Sequence, residues 1–253
     1  NKLLIDYRET AHTLAMRKRI DRINEATNGV EISLDSPVAT MCENLIHCQS
    51  SSGNIVYLNP QKTFLHRVFN NGSWNEGGRF YGPWCQSVPK NERKYILING
   101  ATTVEEDYAQ LHPRLIYHMA NVTLNGDAYT LDGWDRDLGK LAFNILLNAS
   151  TYHKAVGALQ KEIAKLYGAE GARQSAVELI DAMKLQHPEI AGYFHTGIGL
   201  RLQNIDSNIA ERVMLRLLKQ GVVALPVHDS FIVPANDIGA LKEEMDRAFA
   251  GAF

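Results

Sequence analysis

Apolar positions along the chain recur with two periods, and the period decides the element. Near the start, Leu14, Ile20 and Ile23 lie close to helical spacing and Gly29 is a natural stop, so 1–30 is predicted as a helix. Residues 47–54 (HCQSSSGN) read as a loop or linker. Residues 70–93, rich in Gly, Asn, Trp and Pro, read as a long irregular segment of the kind that binds something. A hairpin follows, with an apolar run at 95–98, an Asn99-Gly100 turn and a second strand over 102–108. Helices are predicted at 111–121, with Pro113 near its first turn, at 134–149, at 152–168 and at 175–185, the last capped by Ser175. Residues 206–220 carry the plainest helical period, with Ile209, Val213 and Leu217 at i, i+4 and i+8. Asp206 or Ser207 is the expected cap there and Gly221 the stop. Short apolar strands at 222–227 and 231–234 flank His228-Asp229-Ser230, and a final helix carries Ile238, Leu241, Met245 and Phe249.

Composition narrows the class. Of 253 residues, 45% are hydrophobic and 21% charged, which excludes disorder for most of the chain. Lys plus Arg is 26 against 28 Asp plus Glu, a net charge of −2. That balance excludes a uniformly basic nucleic-acid coat protein and leaves room for a local basic groove. It also predicts weak, salt-sensitive nucleic-acid binding unless a partner helps. Apolar runs such as 222–227 fall far short of the roughly 18 residues of a membrane span, so no membrane partner is expected. The first ten residues hold Lys2, Asp6, Arg8 and Glu9, a pattern unlike a signal peptide. Three cysteines (Cys42, Cys48, Cys85) without a C-x-x-C pair argue against a disulfide framework or zinc knuckle, and a reducing, cytoplasmic setting is expected. Cys85 reads as a packed thiol. The run Arg17, Lys18, Arg19, Arg22 reads first as a solvated helix face and second as a stripe that tracks phosphates.

Two carboxylates stand out. Asp107 ends a predicted strand and Asp229 sits in a tight strand turn, places where a carboxylate is costly unless paired or metal-bound. Read blandly, Asp229 is a turn residue and Asp107 a helix cap. Read chemically, two aspartates on neighbouring strands are a cage for two Mg²⁺ ions, the arrangement of two-metal phosphoryl transfer. His228-Asp229-Ser230 is no hydrolase triad, because consecutive side chains on an extended chain point to opposite faces. Arg136 and Lys140, at i and i+4, put two cations on one helix face, which suits a triphosphate. The bland alternative is a solvated face neutralised by Asp132, Asp135 and Asp137.

Four blocks occur in an order that resembles the palm and fingers core shared by family A DNA polymerases and single-subunit, phage-type RNA polymerases. NEGGRFYGPWCQSVP resembles the GR element, through Gly78-Arg79 with Gln86 and Pro89. EEDYAQLHPRLIYHMA is similar to motif A, with Asp107 in the place of the catalytic aspartate and Gln110 and Arg114 also matching. Arg136-x-x-x-Lys140 resembles motif B, and VHDSF at 227–231 resembles motif C, with Asp229 as the second metal ligand. Gln203 resembles the glutamine that opens the helix ahead of motif C, and Asp127 echoes an aspartate after motif A. The likeness spans about residues 77–234.

The resemblance implies an α+β fold. Its parts are a polymerase palm with a small antiparallel sheet flanked by helices, reduced fingers (about 127–202) and a small helical, thumb-like region over 1–75 that precedes the 76–253 core. It implies a nucleotidyltransferase, most simply a compact DNA polymerase of a phage or mobile element. The close variant is a single-subunit RNA polymerase or primase, and a catalytically silent nucleic-acid-binding module is the rival of another class. A metal-dependent nuclease would also use paired aspartates. On this likeness Asp107 and Asp229 hold Mg²⁺ (Mn²⁺ as a substitute) with a main-chain carbonyl near Tyr108. Arg136 and Lys140 bind the triphosphate, and Lys140 protonates the leaving pyrophosphate. Arg79, Gln203 and His228 contact the primed nucleic acid. A helicase or primase partner, or a fused domain, is expected alongside the nucleoside triphosphates.

The departures are specific. His112 stands where the DNA enzymes have a glutamate that helps exclude ribose, and Ser230 is the residue of the RNA enzymes. Asn148-Ala149 replaces Tyr-Gly at the end of motif B, and Asn144 replaces an aromatic or Met, so the platform for the incoming base is altered. Asp107 and Lys140 are 33 positions apart, which leaves little room for fingers.

Overall fold

The computed structural model describes residues 5–252. The described elements are, in order, α1 (Ala11–Asn28), β1 (Ile32–Leu34), β2 (Ala39–Cys42), β3 (Leu45–Gln49), β4 (Ile55–Leu58), β5 (His66–Asn70), β6 (Ser73–Tyr81), β7 (Ile96–Ile98), β8 (Ala101–Asp107), α2 (Leu111–Met119), α3 (Arg136–Asn148), α4 (Tyr152–Tyr167), α5 (Ala172–Gln186), α6 (Gly199–Leu218), β9 (Leu225–Val227), β10 (Ser230–Pro234) and α7 (Ile238–Ala250). The class is α+β with antiparallel pairing throughout, as expected. No helix among the described residues is long and apolar enough to cross a membrane. The chain divides into two compact units, Asn1–Tyr108 with Asn204–Phe253, and Ala109–Gln203.

The first unit is built on a five-stranded sheet in the order β1-β7-β8-β10-β9. The β7–β8 hairpin closes at Asn99-Gly100 with φ of +51° and +74°, the left-handed pair that a two-residue primed turn requires and that Asn and Gly adopt most easily. The β9–β10 hairpin closes over His228-Asp229, with His228 at φ +58°. Ile96, Ile98, Leu225, Val227 and Ile232 from this sheet pack with Trp84, Cys85 and Val88, and with Ile46, Cys48 and Leu58 of the three-stranded β2-β3-β4 sheet. Helix α7 packs on β8 and β10, and the Tyr108 hydroxyl donates to the Met245 carbonyl at 2.6 Å.

Several expectations are corrected in this unit. The predicted loop at 47–54 is the end of β3 and the turn into β4, and the predicted irregular segment at 70–93 contains the nine-residue strand β6. Glycines concealed that strand. Gly77 and Gly78 (φ +69° and +88°) form an irregularity in the β5–β6 register, and a Cβ on Gly78 would meet the Phe69 ring at 2.8 Å and Arg67 Nη2 at 2.9 Å. The described part of 1–75 holds one helix and mostly strands, not a helical region, because strands of three to five residues are too short to show alternation. Residues 1–4 of the first predicted helix lie outside the described residues. Helix α1 starts at Ala11 with Thr10 as its cap, and Leu14 is exposed. Helix α6 starts at Gly199, so Asp206 and Ser207 are interior, buried helix residues and not caps.

The second unit holds α2 to α5 and the first turn of α6. Asp135 caps α3, accepting from the Asp137 and Leu138 amides at 2.9 and 3.1 Å. Gly171 (φ +69°) precedes α5, which moves Ser175 from the expected cap into the helix. Phe143 is fully buried and meets Tyr129, His187 and Phe194 edge to face at 5.5–5.7 Å. His187 donates from Nε2 to the Ala128 carbonyl (2.9 Å), because a carbonyl only accepts. Its Nδ1 therefore accepts from the Tyr117 hydroxyl at 2.7 Å. Burial pushes the His187 pKa down, so the neutral ring holds this pair of bonds.

Candidate active site

In the first unit, β8 and β10 pair so that Asp107 lies directly opposite Ser230. Asp229 is the next residue, in the hairpin turn, and its carbonyl accepts from the Tyr108 amide at 3.4 Å. Asp107 is exposed and Asp229 half-buried. Both carboxylates therefore reach solvent at one end of the sheet. Side chains alternate along β8, so Asp107 and Glu105 share a face with Ser230. Ser230 is buried, and its hydroxyl donates its one proton to Glu105 at 2.6 Å, with the Val227 carbonyl as the alternative acceptor at 3.0 Å. Glu105 in turn pairs with Arg93 at 2.9 Å.

Arg79, on β6, is held by Asp206 of α6 through Nε (3.1 Å) and Nη2 (2.6 Å). Burial works to lower the Arg79 pKa. The Asp206 hydrogen bond and charge, with Asp229 next, outweigh it and raise the pKa. The Tyr81 ring lies 6.2 Å from that of His228, which is exposed. Gln86 fixes the loop after β6 to β9, donating to the Phe80 and Pro226 carbonyls at 3.2 and 2.8 Å and accepting from the Gly82 amide at 3.1 Å. Deeper in the same unit, Arg67 bonds to Glu211 (3.0 Å), Ser207 and Asn208 (both 2.8 Å) and the Gly78 carbonyl (2.7 Å). Arg19 also pairs with Glu211. The basic run of α1 is thereby partly consumed: Arg19 by Glu211, and Arg17 by Glu9.

The cations predicted on one helix face lie in the second unit. Arg136 and Lys140 are exposed at the start of α3. Asp127 accepts from Arg136 Nε at 2.7 Å and from the Tyr129 amide at 2.8 Å. The Tyr129 ring centre lies 5.4 Å from the Arg136 guanidinium and 5.9 Å from Lys140 Nζ. Gly139 packs so closely on the Tyr129 carbonyl that any Cβ would collide with it. Burial works to raise the Asp127 pKa, and the Tyr129 amide, Arg136 and Lys140 bring it below its ordinary value. Asn144 and Asn148 follow on α3, where the Asn148 amide donates to the Asn144 carbonyl at 2.8 Å. His112 lies partly buried on α2 and Gln203 partly buried on α6.

The predicted residues thus fall into two sets. Asp107, Tyr108, Asp229, His228 and Arg79 gather in the first unit, and Arg136, Lys140, Asn144, Asn148, His112 and Gln203 belong to the second. Tyr108 is buried against α7, with its hydroxyl on the Met245 carbonyl. Asp107 is not the cap of α2, whose preceding residue is Gln110. Sequence reading missed Glu105, and it misread Asp206 as a cap when its partner is Arg79. The available signal was that Asp206 lies on the Ile209, Val213 face of its helix, where a carboxylate needs a cation. Among the described residues no cluster of three or more His, Cys, Asp or Glu side chains is set to hold a metal. Two solvent-reaching carboxylates and nearby carbonyls are hard oxygen donors, the set that Mg²⁺ completes with water and substrate phosphates. No family model matches the chain, and no curated protein matches it in sequence.

Proposed function

We propose that this chain is a nucleotidyltransferase with a polymerase palm, a compact relative of the family A DNA polymerases that extends a nucleic-acid 3′ end. The observation that carries the reading is the β8–β10 register, which sets Asp107 opposite Ser230, the residue next to Asp229, at one end of the sheet. Asp107 and Asp229 would hold Mg²⁺, which when bound supplies charge neutralisation and a more acidic 3′-hydroxyl. Arg79, fixed by Asp206, and exposed His228 contact the primer-template near its end. Arg136 and Lys140 take the triphosphate, and Lys140 donates the proton that leaves with pyrophosphate. Asn144 and Asn148 bind the incoming nucleotide in place of the usual aromatic or Met side chains, and Gln203 contacts the primer-template with Arg79 and His228.

Ser230 and His112 favour a second reading for the sugar, an RNA polymerase or primase. Primer extension with Mg²⁺, offering dNTPs and NTPs separately on primed DNA and RNA templates, tests both. Extension that disappears in Asp229→Asn supports the proposal, and the preferred pool settles the sugar. No incorporation under any combination would favour a silent nucleic-acid-binding module.

A further inference from the structure

Arg136 offers its guanidinium in an unusual way. Asp127 engages Nε alone, and the half-exposed guanidinium makes no other hydrogen bond among the described residues, so its Nη1 and Nη2 N–H groups are left for a ligand. The Tyr129 ring lies within 6 Å of both Arg136 and Lys140, one helical turn apart. Asp127 is itself fixed, because it accepts from the Tyr129 amide while holding Arg136. The arrangement is a bracket that fixes a flexible cation without covering its phosphate-binding fork.

We propose that Asp127 is a positioning residue for polyphosphate: it holds Arg136 through Nε so that the Nη edge is presented, beside Lys140, to a triphosphate. This rests on the reading of Arg136 and Lys140 as the triphosphate-binding pair. Two effects compete. The Asp127 charge repels an incoming phosphate, but this pair is solvent-exposed and that repulsion is screened at physiological salt. Fixing a long side chain in its binding geometry removes an ordering cost that the ligand would otherwise meet. The second effect wins.

Asp127→Asn is the informative variant. Its carbonyl oxygen can still accept from the Tyr129 amide, so the turn survives, but its NH₂ group then faces the Arg136 Nε–H, donor against donor. The probe is inorganic tripolyphosphate, titrated by calorimetry at about 0.15 M salt. The expected result is binding by the wild type and about fivefold weaker binding by Asp127→Asn, the upper range for an exposed pair, with an unchanged melting temperature. Asp127→Glu, which keeps a carboxylate, is expected to recover part of the loss. In nucleotide incorporation Asp127→Asn raises KM with little change in kcat. Equal or tighter tripolyphosphate binding by Asp127→Asn overturns the proposal while leaving the cation pair intact. Absence of binding by the wild type overturns the triphosphate reading itself, and the proposal with it.

Discussion

Two arginine–aspartate pairs, one in each unit, use the same chemistry for opposite ends. Arg79 meets Asp206 through two nitrogens, with side-chain exposures of 21% and 3%. Arg136 meets Asp127 through one nitrogen, with exposures of 50% and 33%. The first pair lies beside the buried Arg67–Glu211 pair, with Arg67 also bonded to Ser207 next to Asp206, and buried charges such as Arg67 and Glu211 need their partners because water cannot replace them. The second stands in solvent, adds little to the fold, and keeps a hydrogen-bonding edge for something else. An ion pair therefore reads as scaffold or as binding surface according to its burial and to how many of its donors are already used.

The largest effect that would break this contrast concerns Glu211. Its side chain is 8% exposed and that of Arg67 only 5%. Glu211→Ala leaves the Arg67 charge without its carboxylate, and urea denaturation is expected to show a loss of about 3 kcal/mol or more. A loss under about 1 kcal/mol would mean that the network is not a scaffold. Next comes a pair of double-mutant cycles. The coupling of Arg79 with Asp206 is expected at about 2 kcal/mol, and that of the exposed Arg136 with Asp127 is expected to be far smaller. Equal couplings would erase the distinction.

A pH effect sharpens the comparison from the side of the second unit. Burial pushes the His187 pKa down, and burial, then Lys184, does the same to His195, whose ring nitrogens have no hydrogen-bond partner among the described residues. A depressed histidine leaves the unfolded chain binding more protons, so stability is fully present above the unfolded pKa of about 6.5 and declines as pH falls through the folded values. Urea midpoints are expected to drop between pH 7.5 and pH 5.5, and His187→Gln should flatten part of that slope. The smallest effect is kinetic. Burial pushes the Cys85 thiol up to about 12, whereas Cys42 is exposed on β2. Iodoacetamide is expected to label Cys42 in the native protein and to reach Cys85 only after unfolding; mass spectrometry of the labelled peptides reads the order.

Much of this architecture was legible in the sequence. The Asn99-Gly100 hairpin, the helices α2 to α5 and the strands around Asp229 follow from turn chemistry and helical period, which are local properties. Strand β6 was not legible, because Gly77 and Gly78 signal a loop by composition while their true role is a close approach of Arg67 and Phe69. The start of α6 was misplaced for a related reason. Asp206 and Ser207 are cap-forming residues in isolation, and only the arginines from β5 and β6 explain why they sit mid-helix. Asp107 and Asp229 were visible as isolated carboxylates, but their adjacency depends on strand register, which no local pattern fixes. The pairing of Arg136 with Asp127 is likewise a contact across a loop that carries no sequence period.

The most direct test of the polymerase account follows a 5′-labelled primer on a template with Mg²⁺ and nucleotides, comparing the wild type, Asp107→Asn and Lys140→Ala on one gel. The account predicts lengthened primer in the wild type, none in Asp107→Asn, sharply reduced lengthening in Lys140→Ala, and no shortened products. Primer that is shortened, equally well by the wild type and by Lys140→Ala, would contradict it and identify the paired aspartates as the centre of a nuclease.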